Sequence, residues 1–93
     1  MIDEKVEKDA LERLVKIEGQ IKGIERMIRK RRYCIDVITQ IASAEAALHK
    51  VSELVLKNHL ETCVALAFRS NDKKERKTKV DELMKVYGRL RIK

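Results

Sequence analysis

No proline interrupts this chain of 93 residues, and its only glycines are Gly19, Gly23 and Gly88. From Val6 to Ile28 the apolar side chains Val6, Ala10, Leu14, Ile17, Ile21, Ile24 and Ile28 recur in steps of three or four. That spacing lines them along one face of an α-helix, with Leu11, Val15 and Met27 widening the stripe. An all-β fold needs turn formers that this chain lacks, so the fold class is all-α. Gly19 and Gly23 sit one turn apart, and a glycine inside a helix costs about 1 kcal/mol relative to alanine. Close approach by another helix backbone is the expected compensation.

Four consecutive cations, Arg29 to Arg32, interrupt the stripe. Their mutual repulsion suits a corner between helices, although no glycine or proline marks one and periodicity alone also fits a single continuous helix. A second long helix is expected from Cys34 to about Phe68. Ile38, Ile41, Leu48, Val51, Val55, Val64 and Leu66 supply its bulk, and six alanines supply helix propensity and close packing. Ser70, Asn71 and Asp72 then offer capping groups for a short third helix. Val80, Leu83, Met84 and Tyr87 would face inward from that helix, with Gly88 at its C-terminal stop. The whole chain, 1–93, reads as one domain. The two long helices should lie antiparallel as a hairpin. Three helices of these lengths leave broad apolar faces uncovered, so a dimeric four-helix bundle is expected.

The formal charge of +7 is unevenly placed. Residues 1–33 carry ten basic and seven acidic groups, residues 34–70 three and four, and residues 71–93 nine and four. Basic ends around a near-neutral middle suit a phosphate-backbone partner, though any one basic run is more often a solvated surface. Tyr33, Phe68 and Tyr87 are the whole aromatic set, too few for stacking on single strands. The acidic start and the lack of a long apolar run argue against a signal peptide or a membrane partner. A cytoplasmic location is expected, where two cysteines stay reduced. Paired carboxylates, a nucleophile–base arrangement and a phosphate-cradling loop are all missing, so the chain does not read as an enzyme.

His59 and Cys63 lie four residues apart, one helical turn, which puts an imidazole and a thiol on the same face. Such a pair suits copper(I) or zinc. By itself it is a weak signal, because a lone helical cysteine is usually a small core hydrophobe. Cys34 precedes His59 by twenty-five residues, about 37 Å along an unbroken helix. If all three bind one ion, Cys34 must come from a second chain, and an antiparallel dimer would deliver it. Two thiolates and one imidazole make a soft trigonal set that Cu(I) accepts, whereas structural zinc nearly always takes four ligands. His49, the only other histidine, lies about 15 Å from His59 along the helix and cannot be a fourth.

These residues, with Leu11-Glu12-Arg13-Leu14, Gly19-Gln20-Ile21-Lys22-Gly23-Ile24, Tyr33-Cys34-Ile35-Asp36-Val37, Gln40-Ile41-Ala42 and Asn58-His59-Leu60-Glu61-Thr62-Cys63, resemble the copper-sensitive operon repressor family of bacterial transcriptional repressors. The likeness covers roughly residues 11–68 and, more loosely, the third helix. It implies a homodimer that pairs into a homotetramer, binds double-stranded operator DNA in the apo form and releases it on binding Cu(I). It also implies that Cys34 of one subunit joins His59 and Cys63 of the next, and that Tyr33 and Glu82 couple the ligated histidine to the third helix. Arg13 and Lys50 match DNA-contacting positions, and Arg29 to Arg32, Arg89, Arg91 and Lys93 would add phosphate contacts. Nickel- and cobalt-sensing relatives add a histidine near the N-terminus, where this chain has Ile2. Persulfide-sensing relatives lack the histidine present here as His59. Nickel- or persulfide-responsive repression remains the nearest alternative, and a copper carrier without DNA binding the next.

Overall fold

The structure, a computed structural model, describes residues 2–69 and 72–90, apart from the side chains of Cys63, Val64 and Leu90. Helix α1 spans Glu4–Arg29 and α2 spans Cys34–His59. A π-helical turn, Leu60–Val64, leads into the short α3, Ala65–Arg69, and α4 spans Lys73–Leu90. No strand occurs among the described residues. Where the sequence suggests one helix to about Phe68, the backbone thus widens to i→i+5 hydrogen bonding for a single turn. His59, Leu60 and Ala65 all keep right-handed helical dihedrals, so the chain does not fold back there.

The corner between α1 and α2 is a Schellman motif. Arg32 N–H donates to the Met27 carbonyl and Arg31 N–H to the Ile28 carbonyl, both at 3.0 Å. The residue that turns the chain is Arg31, at φ 52°, in the left-handed region that glycine normally fills. This non-glycine at the turn is why no punctuation marks the corner in the sequence. At the start of α4, Asp72 Oδ1 accepts from the backbone N–H groups of Lys74 (3.0 Å) and Glu75 (3.3 Å), a side-chain N-cap. The other two expected capping residues, Ser70 and Asn71, lie outside the described residues. Gly88 does not end α4; it lies within the helix, which runs to Leu90.

Two hydrogen bonds set the hairpin register. Asp3 N–H donates to Asn58 Oδ1 at 3.0 Å, and Gln20 Nε2 donates to Ser43 Oγ at 3.0 Å. Position on α2 falls as position on α1 rises, so the long helices are antiparallel. Between them Ala10, Ile17 and Ala44 are buried, with Ala67 beyond. That core is thin. Leu11, Val15, Ile28, Ile35, Ile38 and Leu48 remain exposed. The radius of gyration, 17.6 Å, exceeds the roughly 12 Å of a compact domain of this length. Helix α4 lies across the far end of the hairpin, where Leu83, half-buried, and the more exposed Val86 line a cavity against α2; Val80, Met84 and Tyr87, expected to face inward, are exposed. A single protomer has no further layer to cover them.

Within the one chain described, the glycine pair meets no second helix. A Cβ built at Gly19 meets nothing within 4 Å, and one at Gly23 meets only Arg26 Nη2 at 3.8 Å. Among the described residues no helix of the same chain packs against either glycine.

Candidate metal centre

Cys34 and His59 are the first and last residues of α2. The helix between them holds the sulfur-bearing end about 37 Å from the imidazole-bearing end. Cys34 is a free, exposed thiol, and Tyr33 beside it is exposed as well. At the other end Cys63 falls within the π-helical turn; its side chain, expected as the third ligand, lies outside the described residues. Among the described residues no three histidine, cysteine or carboxylate groups gather closely enough to hold an ion. One chain therefore does not unite Cys34 with His59.

His59 is half-buried and lines a cavity of about 810 Å³ between α2 and α4. The walls are mostly aliphatic: Leu48, Val51, Val55 and Leu56 from α2, Leu83 and Val86 from α4, and Ile2. Glu82 lines the same cavity, so the imidazole-bearing end of α2 and this carboxylate of α4 face one space. Glu82 Oε2 also lies 3.6 Å from Lys79 Nζ on its own helix. Tyr33, the other residue expected to act on the histidine, is at the opposite end of α2 in the same chain.

The site includes one feature that the sequence reading quoted without assigning it a role. Asn58, next to His59, is 3% exposed, the one buried polar residue among the described residues. Its Oδ1 accepts the Asp3 N–H, which ties the start of α1 to the ligand end of α2. Its backbone carbonyl accepts the Thr62 hydroxyl at 2.8 Å, inside the π-helical turn. Only the position of Asn58 between His59 and an otherwise aliphatic face could have signalled this.

The expected DNA contacts lie on the hairpin. Arg13 Nε donates to Asp9 Oδ1 at 2.8 Å, a half-exposed pair one turn apart. The antiparallel register puts Lys50, on α2, at the level of Arg13. Of the supplementary phosphate contacts, Arg91 and Lys93 lie outside the described residues.

The profile of metal-sensitive transcriptional repressors matches residues 6–89. The chain belongs to that family. The copper-sensing transcriptional repressor CsoR of Bacillus subtilis is 39% identical over 82 residues, which are 87% of this chain and 78% of that protein. The copper-sensing transcriptional repressor RicR of Mycobacterium tuberculosis is 49% identical over 55 residues, 59% of this chain and 57% of that protein. Among solved structures, the copper-sensing repressor CsoR with Cu(I) from Geobacillus thermodenitrificans superposes with a TM-score of 0.85 at 34% identity, over 99% of this chain and 95% of that one. The nickel-responsive transcriptional regulator InrS superposes at 0.70 and 29% identity, over 89% and 90%. No helix among the described residues is long and apolar enough to cross a membrane.

Proposed function

We propose that this metal-sensitive repressor responds to Cu(I), held by Cys34 of one subunit with His59 and Cys63 of its neighbour. The observation that carries the reading is the unbroken α2, with an exposed thiol at one end and a half-buried imidazole at the other. Two such helices laid antiparallel bring the end of one beside the start of the other. The exposed Leu11, Val15, Ile35, Ile38 and Leu48 supply apolar surface for that dimer, and two dimers form the tetramer. The donor set of two thiolates and an imidazole suits Cu(I) better than zinc. Relatives described as copper-sensing, one of them solved with Cu(I), support the same choice.

The apo form holds double-stranded operator DNA, with Arg13 and Lys50 among its contacts, and Cu(I) favours a state of lower DNA affinity. Such coupling is reciprocal, so operator DNA weakens Cu(I) binding by the same factor. Glu82 shares a cavity with His59 and is the route by which the state of the imidazole reaches α4; Tyr33 of the neighbouring subunit completes that contact. The likeness to InrS favours nickel as the second reading. Against it stands the lack of any histidine before His49.

Fluorescence anisotropy of a labelled operator, titrated in parallel with Cu(I), Ni(II), Zn(II) and persulfide under anaerobic conditions, tests the proposal. Release by Cu(I) at one equivalent per subunit is expected, and Cys34→Ala should abolish it. Release by nickel alone would replace the metal. A protein that binds Cu(I) but never binds duplex DNA would be a carrier.

A further inference from the structure

The charges of α1 are sorted by face in a way that neither the metal site nor the hairpin requires. At 3.6 residues per turn, Lys5, Lys8, Glu12, Lys16, Gly19, Gly23, Arg26 and Lys30 fall within an arc of about 80°. Five of those eight positions are cationic and only Glu12 is acidic. The arc lies about 150° round the helix from Ala10 and Ile17, the residues that α1 buries, so it faces away from α2. Glu4, Glu7, Glu18 and Glu25 lie on a different face, roughly 120° away.

All five cations are exposed. None of them makes an ion pair with a carboxylate among the described residues, whereas Arg13, Arg29, Lys57 and Lys79 each do. Between Lys16 and Arg26 the stripe carries no bulk: Gly19 and Gly23 leave the helix backbone open on this face. From Lys5 to Lys30 the stripe measures about 37 Å, close to one turn of a DNA duplex.

We infer that this stripe of α1 is a phosphate track, the surface along which the repressor grips the duplex backbone irrespective of sequence. The inference rests on the repressor reading above and adds residues to it. Unpaired cations at intervals along a rigid rod match a polyanion, and each one that neutralises a phosphate releases condensed counterions. A membrane surface fits less well, because the stripe offers glycines where an interfacial helix needs large apolar side chains. Arg13 and Lys50 lie on the edge shared by α1 and α2, and Glu12 and Lys16 border the same groove as Arg13, so the track adjoins that edge and extends it along α1.

The experiment is a salt series with the intact protein, comparing the operator with a scrambled duplex. Each of Lys16→Gln and Arg26→Gln should lower the slope of log K against log salt by about 0.9, and the double variant by nearly twice that. Both duplexes should be weakened alike, with oligomeric size and Cu(I) stoichiometry unchanged. Lys57→Gln removes the same charge from α2, where the lysine is paired with Glu61 at 3.9 Å, and should leave the slope unchanged. The inference is overturned if the double variant loses no more slope than Lys57→Gln, if only the operator is affected, or if the variants change assembly size. If the unaltered protein shows no salt-dependent duplex binding, the repressor reading itself fails and the track goes with it.

Discussion

A mixing experiment tests whether the ligands are shared between subunits. Cys34→Ala and Cys63→Ala each leave every site of a homodimer with one thiolate and one imidazole. Cu(I) needs the second soft ligand to be held against a strong competitor. In a mixed dimer the two substitutions are distributed unevenly. One site takes both losses, and the other takes Cys34 from the Cys63→Ala chain and His59 with Cys63 from the Cys34→Ala chain, and is complete. Random 1:1 reassembly through a two-fold interface makes half the dimers mixed, so about a quarter of an equivalent of tightly held Cu(I) per chain should return. A site within one chain would return none, because each chain would still lack one of its own two thiolates whatever its partner. The assay is anaerobic titration of the two variants, separately and after co-refolding, against a chromophoric Cu(I) chelator. If the co-refolded sample binds no more than the mean of its parents, the shared-site reasoning is wrong.

Three further substitutions test the protomer itself by denaturant or thermal unfolding. Asn58→Ala removes the acceptor for the Asp3 N–H and should cost about 1–2 kcal/mol; an unchanged midpoint would mean that the hydrogen bond does not hold α1 to α2. Arg31→Gly relieves a left-handed residue that costs an L-amino acid roughly 1–2 kcal/mol, offset by about 0.4–1 kcal/mol of added freedom in the unfolded chain. Net stabilisation of up to about 1.6 kcal/mol should follow, and a clear loss would contradict the Schellman geometry. Gly19→Ala places its methyl in open space and should stabilise α1 by about 1 kcal/mol. Destabilisation accompanied by a smaller assembly would instead show that another subunit packs on that face.

Much of the fold was legible because helices announce themselves locally. The step pattern from Val6 to Ile28 specified α1, and the lack of proline allowed α2 its length. A cap at the start of α4 was legible as the run Ser70-Asn71-Asp72, and the structure assigns it to Asp72, whose side chain accepts from residues two and three positions on. The corner at Arg31 was legible only as a charge cluster. Its left-handed turn is carried by a residue type with no preference for one, and the hydrogen bonds around it outweigh that strain. The fate of α4 was misjudged for a related reason. Periodicity identifies which residues share a face but not which neighbour is present to cover it, so Met84 and Tyr87 were expected inside and lie outside.

The sequence alone singled out the donors proposed here, Cys34, His59 and Cys63, and set the distance separating the first from the others, because helical rise is a property of the backbone. Tertiary structure decided what surrounds them. It set His59 and Glu82 on one cavity, buried Asn58 against the start of α1, opened a π-helical turn after His59, and left Lys5, Lys8, Lys16, Arg26 and Lys30 exposed with no carboxylate partner among the described residues. Those features depend on which face of one helix meets which face of another, and that choice is made by packing over distances that no local pattern of residues encodes.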